Sequence, residues 1–175
     1  MLRRLALGIT VVLLPLATAQ LVTAATAAAA PNTVTLYYDA SDLPDYQAEA
    51  TQAAANWNGL VHNVQLSADG TATIALHEIT GGGSYTQTDG HGHGDIYIDT
   101  DQVAEGFDPT RIITHEFGHN LGLADDYTGP CSEVMSGHGP GTSCKNAIPS
   151  AAEVAQADAD FAHGFAPASV VHTVN

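Results

Sequence analysis

The chain has 175 residues, with 4 Lys+Arg against 19 Asp+Glu and a formal charge of −15. A surface this acidic repels phosphate backbones and excludes nucleic acid as a partner. The length suits one domain with a core of its own, and the surplus of carboxylates leaves oxygen ligands for a hard cation such as calcium.

Arg3 and Arg4 precede the apolar run "LALGITVVLLPL", and "ATA" at residues 17–19 supplies a small-x-small cleavage signature. That order reads as a secretory signal peptide over residues 1–19, with an end that could extend to about residue 30. The competing membrane anchor is disfavoured, because the run is broken by Pro15 and is short against the roughly 20 residues a span needs. No later segment is apolar enough to span, so the protein freed of its leader has no hold on a membrane. Residues 20–32, alanine-rich and uncharged, form a short pro-segment or linker, and the folded domain is expected over 33–175. Without the leader, two basic residues face nineteen acidic ones, a net −17.

From Thr33 to Tyr38, "TVTLYY" alternates β-branched and aromatic residues and predicts a strand. The following "LPDYQAEATQAAANWNGL" predicts a helix opened by Pro44 and closed at Asn58-Gly59, with Tyr46, Ala50, Ala53, Ala54 and Trp57 on one face. "NVQLSA" and "TATIALHEI" are two strand candidates around Asp69-Gly70, which suits a hairpin turn, with a short crossover as the alternative. "GGGSYTQTDGHGHG" reads as a mobile glycine-rich loop, and "DIYID" as a short alternating strand. In "FDPTRIITHEFGHNLG", Asp108 is a good N-cap, Pro109 takes the favoured first position and Gly122 suits the left-handed stop. A last helix is expected within "PSAAEVAQADADFAHGF". Cys131 and Cys144 allow a single internal pairing, and in a secreted chain the expected state is a disulfide that contributes about 3 kcal/mol.

The chemistry concentrates in the helix at residues 109–121. Residues four apart lie about 6 Å along a helix axis and roughly 40° around it. His115 and His119 can therefore each bring a nitrogen to one zinc ion, while Glu116 reaches a water on that ion without being a ligand. Two histidines leave zinc short of ligands. Gly122 marks a sharp turn, and Asp125 falls six residues after His119, extending the pattern to H-E-x-x-H-x-x-G-x-x-D. Met135, in "CSEVMSG", suits an apolar floor beneath the ligands.

These residues resemble the metzincin proteases, which carry H-E-x-x-H-x-x-G-x-x-H and a methionine-containing turn. Aspartate in place of the third histidine resembles one branch, the snapalysins, small secreted bacterial metalloproteases. The resemblance implies an α+β zincin-like fold: a mixed, mostly parallel sheet with an antiparallel edge strand and about three helices. It also implies a zinc metalloendopeptidase with His115, His119 and Asp125 as ligands and Glu116 as general base. Tyr127, two residues after the aspartate, is then a donor to the developing oxyanion. A preference for an aromatic residue after the scissile bond, and calcium contacts at Asp108 and Thr110, follow from the same likeness. "GDIYID" would be the edge strand that pairs with an extended substrate.

Two other readings stand beside this one. A zincin could take its third ligand from a later helix, at Glu153, and a secreted zinc-binding protein could hold the metal without catalysis. Gly122 and Asp125 weigh against the first, and Glu116 weighs against the second. His91 and His93, with Asp89 and Asp95 beside them, are conceivable ligands for a second metal, but glycine flexibility favours solvated loop histidines. The other histidines, among them His62, His77 and His138, lack partners at ligand spacing. Partners expected are protein or peptide substrates of a monomeric enzyme, with a proteinaceous inhibitor as the other class this reading allows.

Overall fold

The computed structural model describes residues 33–164 and 172–174; the expected leader and the segment at 20–32 lie outside the described residues. The first strand, β1 (Val34–Asp42), runs on four residues past the predicted stretch. It is followed by α1 (Gln47–Asn58), β2 (Val64–Ser67), β3 (Ile74–Ile79), β4 (Tyr85–Thr88) and β5 (Gly94–Asp99). Then come the short α2 (Thr100–Ala104), α3 (Pro109–Asn120), a 3-10 turn at Val134–Ser136, α4 (Ala151–Asp160) and β6 (His172–Val174).

The sheet order is β2-β1-β3-β5-β4-β6. β2, β1, β3 and β5 are parallel neighbours, and β4 runs antiparallel to both β5 and β6. This is an α+β fold with a mostly parallel sheet, as the motif implied. Four α-helices rather than three are present among the described residues, because the five-residue α2 carries no apolar periodicity to announce it.

Three local expectations need correction. Asp69-Gly70 does not close a hairpin: β2 and β3 flank β1 and both run parallel to it, so the residues between them form a short crossover. The glycine-rich segment is not all loop, since it contains β4. And "GDIYID" is not an edge strand: β5 lies between β3 and β4, pairing with β3 along its whole length and with β4 from Gly94 to Tyr97.

One face of the sheet, carrying Leu36, Tyr38, Ile74, Leu76, Ile96 and Ile98, is buried in the core. The alanines of α1 (Ala50, Ala53, Ala54) are buried beside Trp57, and their small size lets α1 lie close to α3. Trp57 is fully buried and its indole N–H donates to the Thr114 carbonyl at 2.9 Å, which spares the ring a desolvation penalty and ties the two helices together. The outer face carries a stack of rings, His77 on Tyr97 at 5.0 Å and Tyr97 on Tyr85 at 4.6 Å.

Within α3, ten consecutive residues from Arg111 to Asn120 are buried, so this helix is sealed on all sides rather than amphipathic. Gly118 shows how tightly it is packed. A Cβ there would sit 2.4 Å from the Met135 sulfur and 3.3 Å from the Trp57 ring. The helix gives up about 1 kcal/mol of intrinsic propensity to let methionine and tryptophan reach its backbone.

Candidate metal centre and substrate cleft

The local signals around α3 act as the sequence suggests. The Asp108 carboxylate accepts from the Arg111 amide at 2.9 Å, and Pro109 occupies the first turn. After Asn120 the chain leaves through Gly122, at φ +90°, where a side chain would be strained and a Cβ would lie 2.5 Å from an Asp160 oxygen. The reversal brings residues 123–125 back over the helix. The Leu123 carbonyl faces His119 Nδ1 at 2.9 Å, and the Val134 carbonyl faces His115 Nδ1 at 3.0 Å. A carbonyl can only accept, so each Nδ1 carries the proton and each neutral ring presents a bare Nε2.

Those two Nε2 atoms are 3.2 Å apart. Asp125 Oδ1 lies 3.1 Å from the first and 3.5 Å from the second, and it is buried without a hydrogen-bond partner. Two lone pairs and a carboxylate oxygen this close repel one another unless positive charge sits among them. Without a metal the histidines themselves supply attraction: burial would raise the Asp125 carboxyl, but His115 and His119 together hold it well below the usual range. Burial would lower His119, but Asp125, Glu116 and the Leu123 carbonyl together push it up. A tetrahedral zinc with ligands at about 2.0–2.1 Å spaces neighbouring donors about 3.3 Å apart, so these three atoms fit such an ion.

Glu116 is buried beside them, and its carboxylate shares a 4.8 Å cluster with both imidazoles. A cavity of about 210 Å³ adjoins His115 and Glu116, walled by Gly82, Gly83, Tyr85, Phe107 and Ile112. Tyr127, a third exposed, stands at its border, with its ring 6.5 Å from that of His115 and 4.4 Å from that of His138. His138, given no role by its spacing, therefore belongs to the cleft.

Other expected residues fall outside the cluster. Glu153 has both oxygens occupied: one accepts from the Met135 amide and the other from the Ser150 amide, each at 2.6 Å. It closes a capping box on α4 and buttresses the methionine turn, so the reading that made it a metal ligand finds no support. His93 pairs with Asp89 at 3.1 Å and His91 Nδ1 meets the Gly90 carbonyl at 2.8 Å; among the described residues the two do not gather around a common point with other donors. Asp99 is spent on backbone amides of Gly81, Gly83 and Asp101, which hold its carboxyl low against the cost of burial and hang the glycine wall of the cleft in place. Thr110 uses its carbonyl to accept from Thr114, and Cys131 is bonded to Cys144.

Arg111 was missed by sequence reading, although it is one of only two basic residues beyond the leader. Its guanidinium is buried and donates to the carbonyls of Glu133 (3.0 Å), Gly137 and Asn146 and to the Ser136 hydroxyl (2.8 Å). It thus ties the disulfide loop and the methionine turn to the metal-centre helix. Arg111→Met should lower the thermal midpoint by about 10 °C, because several buried carbonyls lose their donor at once at roughly 1–3 kcal/mol each. Thermal unfolding in the presence of excess zinc measures it; a midpoint within about 2 °C of wild type would deny Arg111 this organising role.

A helix bearing two converging imidazoles and a buried carboxylate, set against a mostly parallel sheet and opening on an apolar cleft, defines a metalloprotease of the zincin class. Comparison with known proteins narrows this. The profile of the Streptomyces extracellular neutral proteinase (M7) family matches residues 33–164, and the chain belongs to that family. It is 50% identical over 133 residues to the extracellular small neutral protease of Streptomyces caespitosus, covering 75% of this chain and all of that protein. Proteins of the same description from Streptomyces lividans and Streptomyces coelicolor are 44% and 43% identical over 75% and 78% of this chain. The chain spans 59% and 63% of the lengths of those two relatives.

Proposed function

We propose that the chain is an extracellular zinc endopeptidase in which His115, His119 and Asp125 hold one zinc and Glu116 is the general base. The observation that carries this reading is the convergence of three donor atoms at 3.1–3.5 Å around a point beside the cleft, one of them a buried carboxylate oxygen with no other partner. Bound zinc would supply Lewis acidity, lowering the pKa of a coordinated water and polarising the substrate carbonyl. Glu116 takes a proton from the attacking water and passes it to the departing amide nitrogen. The Tyr127 phenol, pushed up by burial and by Asp125, stays protonated at neutral pH and can donate to the developing oxyanion.

The cavity beside His115, with Tyr85, Phe107 and Ile112 in its wall, suits an aromatic side chain following the scissile bond. Casein hydrolysis should disappear on chelation and return with stoichiometric zinc. Hydrolysis that survives complete metal removal would overturn the reading, and zinc binding without hydrolysis would point to a binding protein. In a peptide series, Phe or Tyr after the scissile bond should raise kcat/KM over Ala by more than about tenfold.

A further inference from the structure

We propose that Thr86 is a positioning residue for Glu116: its hydroxyl, buried on the inward face of β4, fixes one oxygen of that carboxylate and leaves the other for the water. The proposal rests on the reading of Glu116 as the base and adds the group that aims it.

Thr86 is fully buried, and its Oγ1 lies 2.8 Å from Glu116 Oε2 and 3.2 Å from the Glu116 carbonyl. A hydroxyl has one proton, and donation to the ionised carboxylate is the stronger of the two bonds. A glutamate turns about three side-chain bonds, and useful proton transfer requires the carboxylate within about 0.5 Å of its productive place. A single donor on a rigid strand removes most of that freedom.

The bond is one of two rungs. Thr88 Oγ1 lies 2.9 Å from Asn120 Oδ1, one helical turn beyond Glu116, and Thr88 is buried as well. Strand residues two apart are separated by about 6.7 Å and helix residues four apart by about 6 Å, so the periods match and β4 docks on α3 through both threonines. Burial of threonine in the core is thus explained at both positions by a polar partner on the helix. Only the Thr86 rung touches the base. The Thr88 rung is a built-in control on the same strand–helix contact but with no carboxylate: its hydroxyl lies as close to the His93 carbonyl (2.9 Å) as to Asn120, and it accepts from the Gly90 amide at 3.0 Å.

Three variants test the idea: Thr86→Val, which keeps shape and removes the hydroxyl, Thr86→Ser, which restores it, and Thr88→Val. Thr86→Val should lower kcat on an aromatic peptide about tenfold while KM stays within about twofold. Zinc affinity by chelator competition should stay at the wild-type value, and crystals of the variant should show the Glu116 carboxylate in more than one orientation. Thr86→Ser should recover kcat to within about threefold and restore a single orientation. Thr88→Val should lower the melting temperature at least as much as Thr86→Val yet leave kcat within about twofold. Wild-type kcat in Thr86→Val, failure of Thr86→Ser to recover, or an equal loss in Thr88→Val would each overturn the proposal. Glu116→Gln separates the two levels. If it stays active, the base assignment falls; if it is inactive while Thr86→Val turns over normally, only the positioning role falls.

Discussion

Glu116→Gln is expected to retain zinc and lose at least about a hundredfold in kcat, the range that a positioned general base supplies. The amide is the same size as the carboxylate and can still accept a hydrogen bond from Thr86, so the packing around it is preserved. What it cannot do is take a proton from water. The loss should be near the upper end of the range because of the third ligand proposed here. Three neutral imidazoles would leave zinc its full double charge, whereas Asp125 reduces the local charge by one. A coordinated water is then acidified less, and more of the deprotonation falls to the base. Steady-state kinetics on a fluorogenic peptide, with metal content measured on the same sample, decide the matter. Near-normal turnover in the zinc-loaded variant would remove Glu116 from the mechanism.

The parts of this site that were readable in the sequence are those fixed by local chemistry. Asp108, Pro109 and Gly122 set the ends of α3 within a few residues of themselves, and the four-residue spacing of the histidines needs only the helix. β4 was unreadable for the opposite reason. Thr86 is buried because Glu116, about thirty positions later, accepts its hydroxyl proton, and Thr88 because its hydroxyl meets Asn120 of the helix as well as the nearby His93 carbonyl. No hydropathy pattern records that pairing, and the flanking glycines pointed to loop. The same holds at Asp69-Gly70, where a favourable turn dipeptide was overridden by β1, which takes the place between β2 and β3. Arg111 looks like an ordinary polar residue of a helix until the loop from Cys131 to Asn146 folds over it and supplies the carbonyls. The third donor was read from spacing and from the likeness to the snapalysins: glycine announced the reversal, and the sixth position after His119 pointed to Asp125 rather than Asp126.

That choice gives the second large effect. Asp125→Ala should weaken zinc retention by more than about a hundredfold, since even outer partners of a ligand cost 10–100-fold when removed. Asp126→Ala should leave zinc retention within a few-fold of wild type. The two carboxylates are neighbours in sequence and differ in what they face. Asp125 is half-buried against both imidazoles, with one fully buried oxygen that has nothing else to bind. Asp126 turns away: its carboxylate accepts from the Thr128 hydroxyl at 2.7 Å, while its amide donates to the Met135 carbonyl at 2.8 Å. Its side chain serves the turn that follows. Replacing it disturbs that turn and leaves the donor triangle in place. Chelator competition at fixed pH gives both affinities, and melting curves of the metal-free proteins show whether either change acts through the fold. In the Asp125 variant the metal-free protein loses a carboxylate that attracts the two histidines and should melt somewhat lower, while the zinc-induced rise in melting temperature collapses. Equal loss of zinc in the two variants would defeat the assignment of Asp125. The mechanism would then need another source for its third ligand, because Glu153 already has both oxygens bound to backbone amides.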